Sequence, residues 1–212
     1  SDKSFEGSVL PSWAMMRSAI NSSVLIASVM IFCMMFRSSG IISELFPLYV
    51  TEELGASSIE YGLLTATSTG GAALGMSLGG LISDKLGKKR ALALGFGIGV
   101  AATYLLAVIN TILLLFPVML MNGLLYGITY SVTPVLVVDS VPSKVRGKAI
   151  GIYRTFYDLG GLLGPIAMSA IVMIVDIPHG YFAAFYVTTV LVFANLLIVS
   201  IIKTKREGDK EI

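Results

Sequence analysis

Gly79-Gly80-Leu81-Ile82-Ser83-Asp84-Lys85-Leu86-Gly87-Lys88-Lys89-Arg90 is a short basic turn held between two long apolar runs. In hydrocarbon its four cations would cost about 2.5–3.5 kcal/mol each, even on the lenient insertion scale. The turn therefore belongs in water, and the runs on either side read as membrane-spanning helices joined by a hairpin. Its charge also orients the chain, because Lys and Arg concentrate in loops on the cytoplasmic side.

The whole chain fits that reading. Of its 212 residues, 55% are hydrophobic and only 13% charged, about half the charged share of an ordinary soluble domain. Its 22 glycines suit helices that approach closely in lipid. Six segments carry the roughly 20 apolar residues a span needs, near 22–49, 59–82, 91–109, 112–138, 149–175 and 181–202. Thr51 to Ser58, Asn110-Thr111 and Asp176-Ile177-Pro178-His179-Gly180 punctuate them as loops and turns. The runs are too long for membrane strands and do not alternate. An all-α membrane protein is expected.

Apart from Arg37 and Arg154, every Lys and Arg falls in the amino-terminal segment, the second-to-third turn, the fourth-to-fifth connection or the tail. The opposite loops carry Glu52, Glu53, Glu60 and Asp176 instead. Both termini are thus expected in the cytoplasm, with the plasma membrane as the location. Residues 1–20, with Trp13 and Arg17, read as a polar segment leading into the first helix. Residues 21–202 form the six-helix domain, and 203–212 a charged cytoplasmic tail. The opening Ser1-Asp2-Lys3 reads as part of a longer chain.

Four ionisable residues lie inside spans: Arg37 and Glu44 in the first, Arg154 and Asp158 in the fifth. Each is costly in the bilayer and is expected to face the bundle interior or an aqueous cavity. Arg154 and Asp158 are one helical turn apart and can pair; Arg37 and Glu44 share a face but sit two turns apart. Asp158 or Glu44 is a candidate proton carrier, with a structural ion pair as the alternative. Arg37 is a candidate for substrate or coupling. Asn122, Tyr126, Tyr130 and Thr133 recur on one face of the fourth helix. Asn122 falls near the midplane, so this face is a candidate for substrate binding or, alternatively, an interhelical hydrogen-bonding stripe. Thr65, Thr67, Ser68, Thr69 and Asn195 read as packing polar groups.

Several classes are excluded. There is no P-loop, the lone His179 lies in an outer loop, and the single Cys33 permits no internal disulfide. No enzyme, metal site or cofactor is expected. The basic clusters lack interleaved aromatics, so no nucleic-acid partner is expected either.

Gly80-x-x-Ser83-Asp84-Lys85-x-Gly87-Lys88-Lys89-Arg90 resembles the signature loop of the major facilitator superfamily, at the same place after the second of six helices. Pro142-Ser143-Lys144-Val145-Arg146-Gly147, followed by Gly151, Gly160, Gly164 and Pro165, resembles the family's fourth-to-fifth connection and glycine-rich fifth helix. The Gly-x8-Gly-x3-Gly-Pro spacing is that of its exporters, although Ser169-Ala170 replaces the usual closing Gly-Gly. The resemblance implies half of a twelve-helix fold, built as two inverted three-helix repeats. Met121-Asn122-Gly123 lacks the arginine common in first halves, which points to the carboxy-terminal half. The partners implied are membrane lipid, a small-molecule substrate and another six-helix half, in the same chain or a separate subunit.

The resemblance further implies a secondary active transporter working by alternating access. Proton-coupled efflux of a drug or metabolite is the first expectation. Uptake of a sugar or organic anion, and a non-transporting sensor or scaffold, are the alternatives. Gly79, Gly80 and Gly87 would allow the sharp turn and close helix approach. Asp84 would sit beside the start of the fifth helix near Lys148, and Asp139 would pair with Arg90 or Arg146. That cluster would latch the cytoplasmic side in the outward-facing state.

Overall fold

The computed structural model describes residues 19–175 and 179–201. The terminal segment with Trp13 and Arg17, the charged tail, Asp176 and Pro178 lie outside them. Among the described residues the chain is helical throughout, without strands. Six long helices follow one another: α1 (Ser22–Glu53), α2 (Ser58–Leu86), α3 (Lys88–Val108), α4 (Ile112–Asp139), α5 (Arg146–Val175) and α6 (His179–Ile201). Five of these are both long and apolar enough to cross a membrane. The exception, α2, is 29 residues long but rich in hydroxyls.

Those hydroxyls are satisfied within α2 itself. Thr65, Thr67, Thr69 and Ser77 each donate to the carbonyl four residues back, at 2.8–3.2 Å. Of the residues expected as interhelical glue in α2, only Ser68 reaches another helix, accepting from Asn122 Nδ2 at 3.2 Å.

Helix ends differ from the sequence expectation in two places. The acidic loop was expected from Thr51, but α1 continues to Glu53 through widened turns, with Phe46 donating to the Ile41 carbonyl and Leu54 to that of Tyr49. Widened turns let the helix pass Pro47 without breaking. α2 then starts at a capping box between Ser57 and Glu60. The basic hairpin is tighter than expected, because Gly87 alone separates α2 from α3, with φ of +88°. Glycine holds that conformation at little cost. Lys88, Lys89 and Arg90 therefore form the first turn of α3.

Close backbone contact decides the packing. On α2, Gly71 and Gly75 face the Leu120 and Leu124 carbonyls of α4, where an added Cβ would lie 2.5 and 2.6 Å from them. On α5, Gly160 and Gly164 face the Phe32 and Phe36 carbonyls of α1 in the same manner, at 2.4 and 2.2 Å. Gly123 and Gly127 of α4 answer from the other side, at 2.0 and 2.1 Å from the Ser68 and Ala72 carbonyls.

α1 thus lies along α5 as α4 lies along α2, while α3 packs against α6. These pairings map onto themselves when helices one to three are exchanged for four to six. With three helices in each unit, the second unit is inverted relative to the first. The repeat is written in glycine spacing, at 71/75 and 160/164, and not in overall identity. α3 leans more heavily on α4 than α6 does on α1, so the match is approximate.

Replacing Gly123 by Ala forces its methyl onto the Ser68 carbonyl, and overpacking of this kind costs typically about 1–3 kcal/mol. Thermal unfolding in detergent, followed by circular dichroism, should show a clear loss. Gly151→Ala, at a glycine with open space beside it, should unfold like the parent. Equal stability of both variants would refute this account of the packing.

Candidate functional site

A cavity of about 390 Å³ opens between α1, α2 and α4, lined by Arg37, Ser68, Met76, Asn122 and Tyr126 among others. Arg37 lies at the middle of α1, at the head of the widened turns that begin at Ser38. It is only 2% exposed. Its Nε donates to Thr103 Oγ1 at 2.9 Å and its Nη2 to Asn122 Oδ1. Asn122 passes the chain on to Ser68, and Thr103 donates to the Gly99 carbonyl at 2.8 Å. Four helices thereby converge on one guanidinium.

No carboxylate neutralises it among the described residues, where the ion pairs are Lys88–Asp139 and Arg154–Asp158. Glu44, expected to face the bundle interior or an aqueous cavity, is exposed in this six-helix unit and has no partner among the described residues. Neutral oxygens hold the guanidinium in place but leave its charge unbalanced. Arginine cannot shed that charge by deprotonating. The guanidinium N–H groups left beside the cavity could take an anionic group in a charge-assisted fork. The sequence isolated Arg37 and Asn122 separately. It did not single out Thr103 or tie Ser68 to the pair, since contacts between helices leave no spacing signal.

The open face continues past Tyr126. Its ring stacks on Tyr130, with centroids 5.5 Å apart, and Tyr130 meets the edge of Tyr157 from α5 at 6.4 Å. The Arg154 guanidinium carbon lies 4.2 Å from the Tyr157 ring centre. Arg154 and Asp158 pair at 3.2 Å, as their spacing predicted, and they are 57% and 58% exposed, outside the interior of these six helices. Thr133 leaves this face, buried and bonded to the Thr129 carbonyl at 2.6 Å. Tyr153 is buried here with its hydroxyl unpartnered among the described residues, and the sequence reading did not include it.

The signature turn lies at one end of the bundle. Lys88 pairs with Asp139, and Lys89 donates to the Ser200 carbonyl. Asp139 thus pairs with Lys88 and not with Arg90 or Arg146, the expected partners; the single-residue link at Gly87 brings Lys88 to α4 first. Asp84 and Lys85 line a groove with Gly80, Arg90 and Asp139, walled by α2, α3 and α4. No residue of α5 lines that groove. Gly79 packs tightly on Ile128 and Ser131, whereas Gly80, Gly147 and Gly151 meet open space. Of the residues thought to serve close packing in the fifth helix, Gly160 and Gly164 do so. Pro165 follows them inside α5.

Five helices long and apolar enough to span, packed with a sixth as inverted glycine-lined repeats, define a multi-pass integral membrane protein. The family can be stated more narrowly. The model of the Major Facilitator Superfamily matches residues 27–211, and the chain belongs to that superfamily. It is similar to the Quinolone resistance protein NorA of Staphylococcus aureus, 26% identical over 132 residues, which are 62% of this chain and 34% of NorA. It is also similar to the Cis,cis-muconate transport protein of Acinetobacter baylyi, 32% identical over 128 residues, 58% of this chain and 30% of that protein. The chain therefore aligns with about a third of the length of each relative.

Exchanging the partners of the surface pair separates its charge attraction from its position. Lys88→Asp should lower stability by about 0.2–1 kcal/mol, the range of exposed ion pairs. Adding Asp139→Lys should restore it in thermal unfolding. A double variant no better than the single ones would exclude direct pairing.

Proposed function

We propose that this chain is a six-helix half of a secondary active transporter that carries an organic anion together with protons. The observation behind this reading is the buried, unneutralised Arg37 at the wall of the cavity. An anionic substrate would supply the charge that the chain withholds. Tyr126 and Tyr130 would offer their faces to its hydrocarbon part, and Asn122 would fix the guanidinium plane.

Direction and coupling follow from energetics. The resistance protein's name favours export, and the muconate carrier's name favours movement of an organic acid. Arg37 belongs to this chain and tips the reading to the second. Moving one negative charge into a cell against an interior-negative potential costs about 2.3 kcal/mol per 100 mV. At least one accompanying proton removes that cost. Asp158 would carry the proton, exchanging its Arg154 partner as the site opens and closes. Alternating access would come from rocking this half against a second six-helix half, with both termini cytoplasmic and the plasma membrane as the site of action. Lys88–Asp139 would close the basic side in one of the two states.

Three variants in proteoliposomes of the full-length protein test this reading. Arg37→Gln should reduce uptake of small carboxylates at least about tenfold, equivalent to about 1.4 kcal/mol, while Arg37→Lys retains part of it. Asp158→Asn should keep carboxylate exchange but lose accumulation driven by a pH gradient. Undiminished uptake by Arg37→Gln would overturn the anion assignment. Intact pH-driven accumulation by Asp158→Asn would remove Asp158 from the coupling.

A further inference from the structure

Three glycines sit two apart along α3, and packing explains only two of them. A Cβ on Gly95 would lie 2.9 Å from Ile128, and one on Gly99 would lie 2.6 Å from Leu125. Gly97 points the other way and has nothing within 4 Å. It forms part of an apolar slot of about 500 Å³, with Leu86, Ala93, Leu94, Ile98 and the stem of Arg90. Leu94 is exposed there, so the slot opens on the outer surface of the bundle.

This slot is continuous with a polar basin. Leu86 and Arg90 line both the slot and the groove of about 650 Å³ around the signature turn. That basin holds Lys85, Lys88, Lys89 and Arg90 against only Asp84 and Asp139. Lys88 is taken by Asp139 and Lys89 by a carbonyl. Lys85 and Arg90 have no partner among the described residues. The two compartments thus share an arginine at their junction, basic on one side and dry on the other. Gly97 lies about 10 Å from Arg90 along the helix axis, at 1.5 Å per residue.

We infer that this composite groove is a binding site for an anionic phospholipid, with the headgroup phosphate in the basin against Arg90 and Lys85, and the upper acyl chain in the slot over Ala93 and Gly97. Charge complementarity selects the occupant. A zwitterionic lipid would fill the slot equally well but would leave the excess positive charge of the basin unmatched. A soluble anion would satisfy the basin and gain nothing from the slot. The missing side chain at Gly97 then has a reason, since any larger residue would occupy the chain's place. The site lies apart from the Arg37 cavity and does not depend on the substrate proposed for it.

Native mass spectrometry of the purified protein, equilibrated in detergent with equal dioleoylphosphatidylglycerol and dioleoylphosphatidylcholine, tests the assignment. The parent should retain the phosphatidylglycerol preferentially. Arg90→Gln should lower that preference about fivefold, from the ~1 kcal/mol carried by each basic side chain at an anionic lipid surface. Gly97→Leu, which fits the open slot without displacing a neighbour, should remove retention of both lipids while leaving the helical circular dichroism unchanged. Leu162→Phe, on the exposed surface of α5, should behave as the parent. Unchanged retention in Gly97→Leu would overturn the slot. Unchanged preference in Arg90→Gln would overturn the headgroup assignment, as would loss of lipid in Leu162→Phe to the same degree.

Discussion

Backbone pressed against backbone at glycine is the constraint on which this fold rests. Lipid tails are as apolar as leucine, so spanning helices gain little by hiding hydrocarbon from them. What remains is van der Waals contact at short range, available only where no side chain stands between helices. Gly123 and Gly127 against α2, and Gly160 and Gly164 against α1, supply that contact. Each fixes a helix pair in position and register at once.

Register is what builds the cavity. With α4 seated on α2 at Gly71 and Gly75, Asn122 comes level with Ser68. Arg37 of α1 then reaches Asn122 and, on α3, Thr103. None of these bonds survives a one-residue slide of either helix. The polar network also works in return, because Arg37, Thr103 and Asn122 are buried and an unmet donor in this setting is expensive. Close packing and buried polarity therefore specify the same arrangement. The unbalanced charge of Arg37 is the part that packing does not account for, and it is the part that chemistry can use.

Much of this was legible beforehand. The spans, the turn at Gly87 and the i,i+4 pair of Arg154 with Asp158 are local features, set by residue type and spacing within a single helix. So was the family, because its signature occupies one hairpin. Pairings across helices were less accessible. Asp139 was matched to Arg90 or Arg146, since nothing in the spacing reveals that a single-residue link swings Lys88 to α4. Glu44 was expected to face the interior or an aqueous cavity because intramembrane charge is costly, and it lies exposed, outside the Arg37 network. The glycines were noted in number, but those that meet a carbonyl differ from Gly80, Gly97 or Gly151 only in what lies opposite them.

Sequence by itself determined the solvent, the number of helices and the identity of the costly charges. Each follows from transfer energies and from periodicity along one segment. Only the tertiary structure decided which charges are paired, which glycines carry the packing, and that Arg37 stands beside a cavity without a counter-ion among the described residues. Those are relations between helices far apart in the chain, such as Arg37 with Asn122 and Lys88 with Asp139. They depend on register, and register is fixed by three-dimensional contact between backbones.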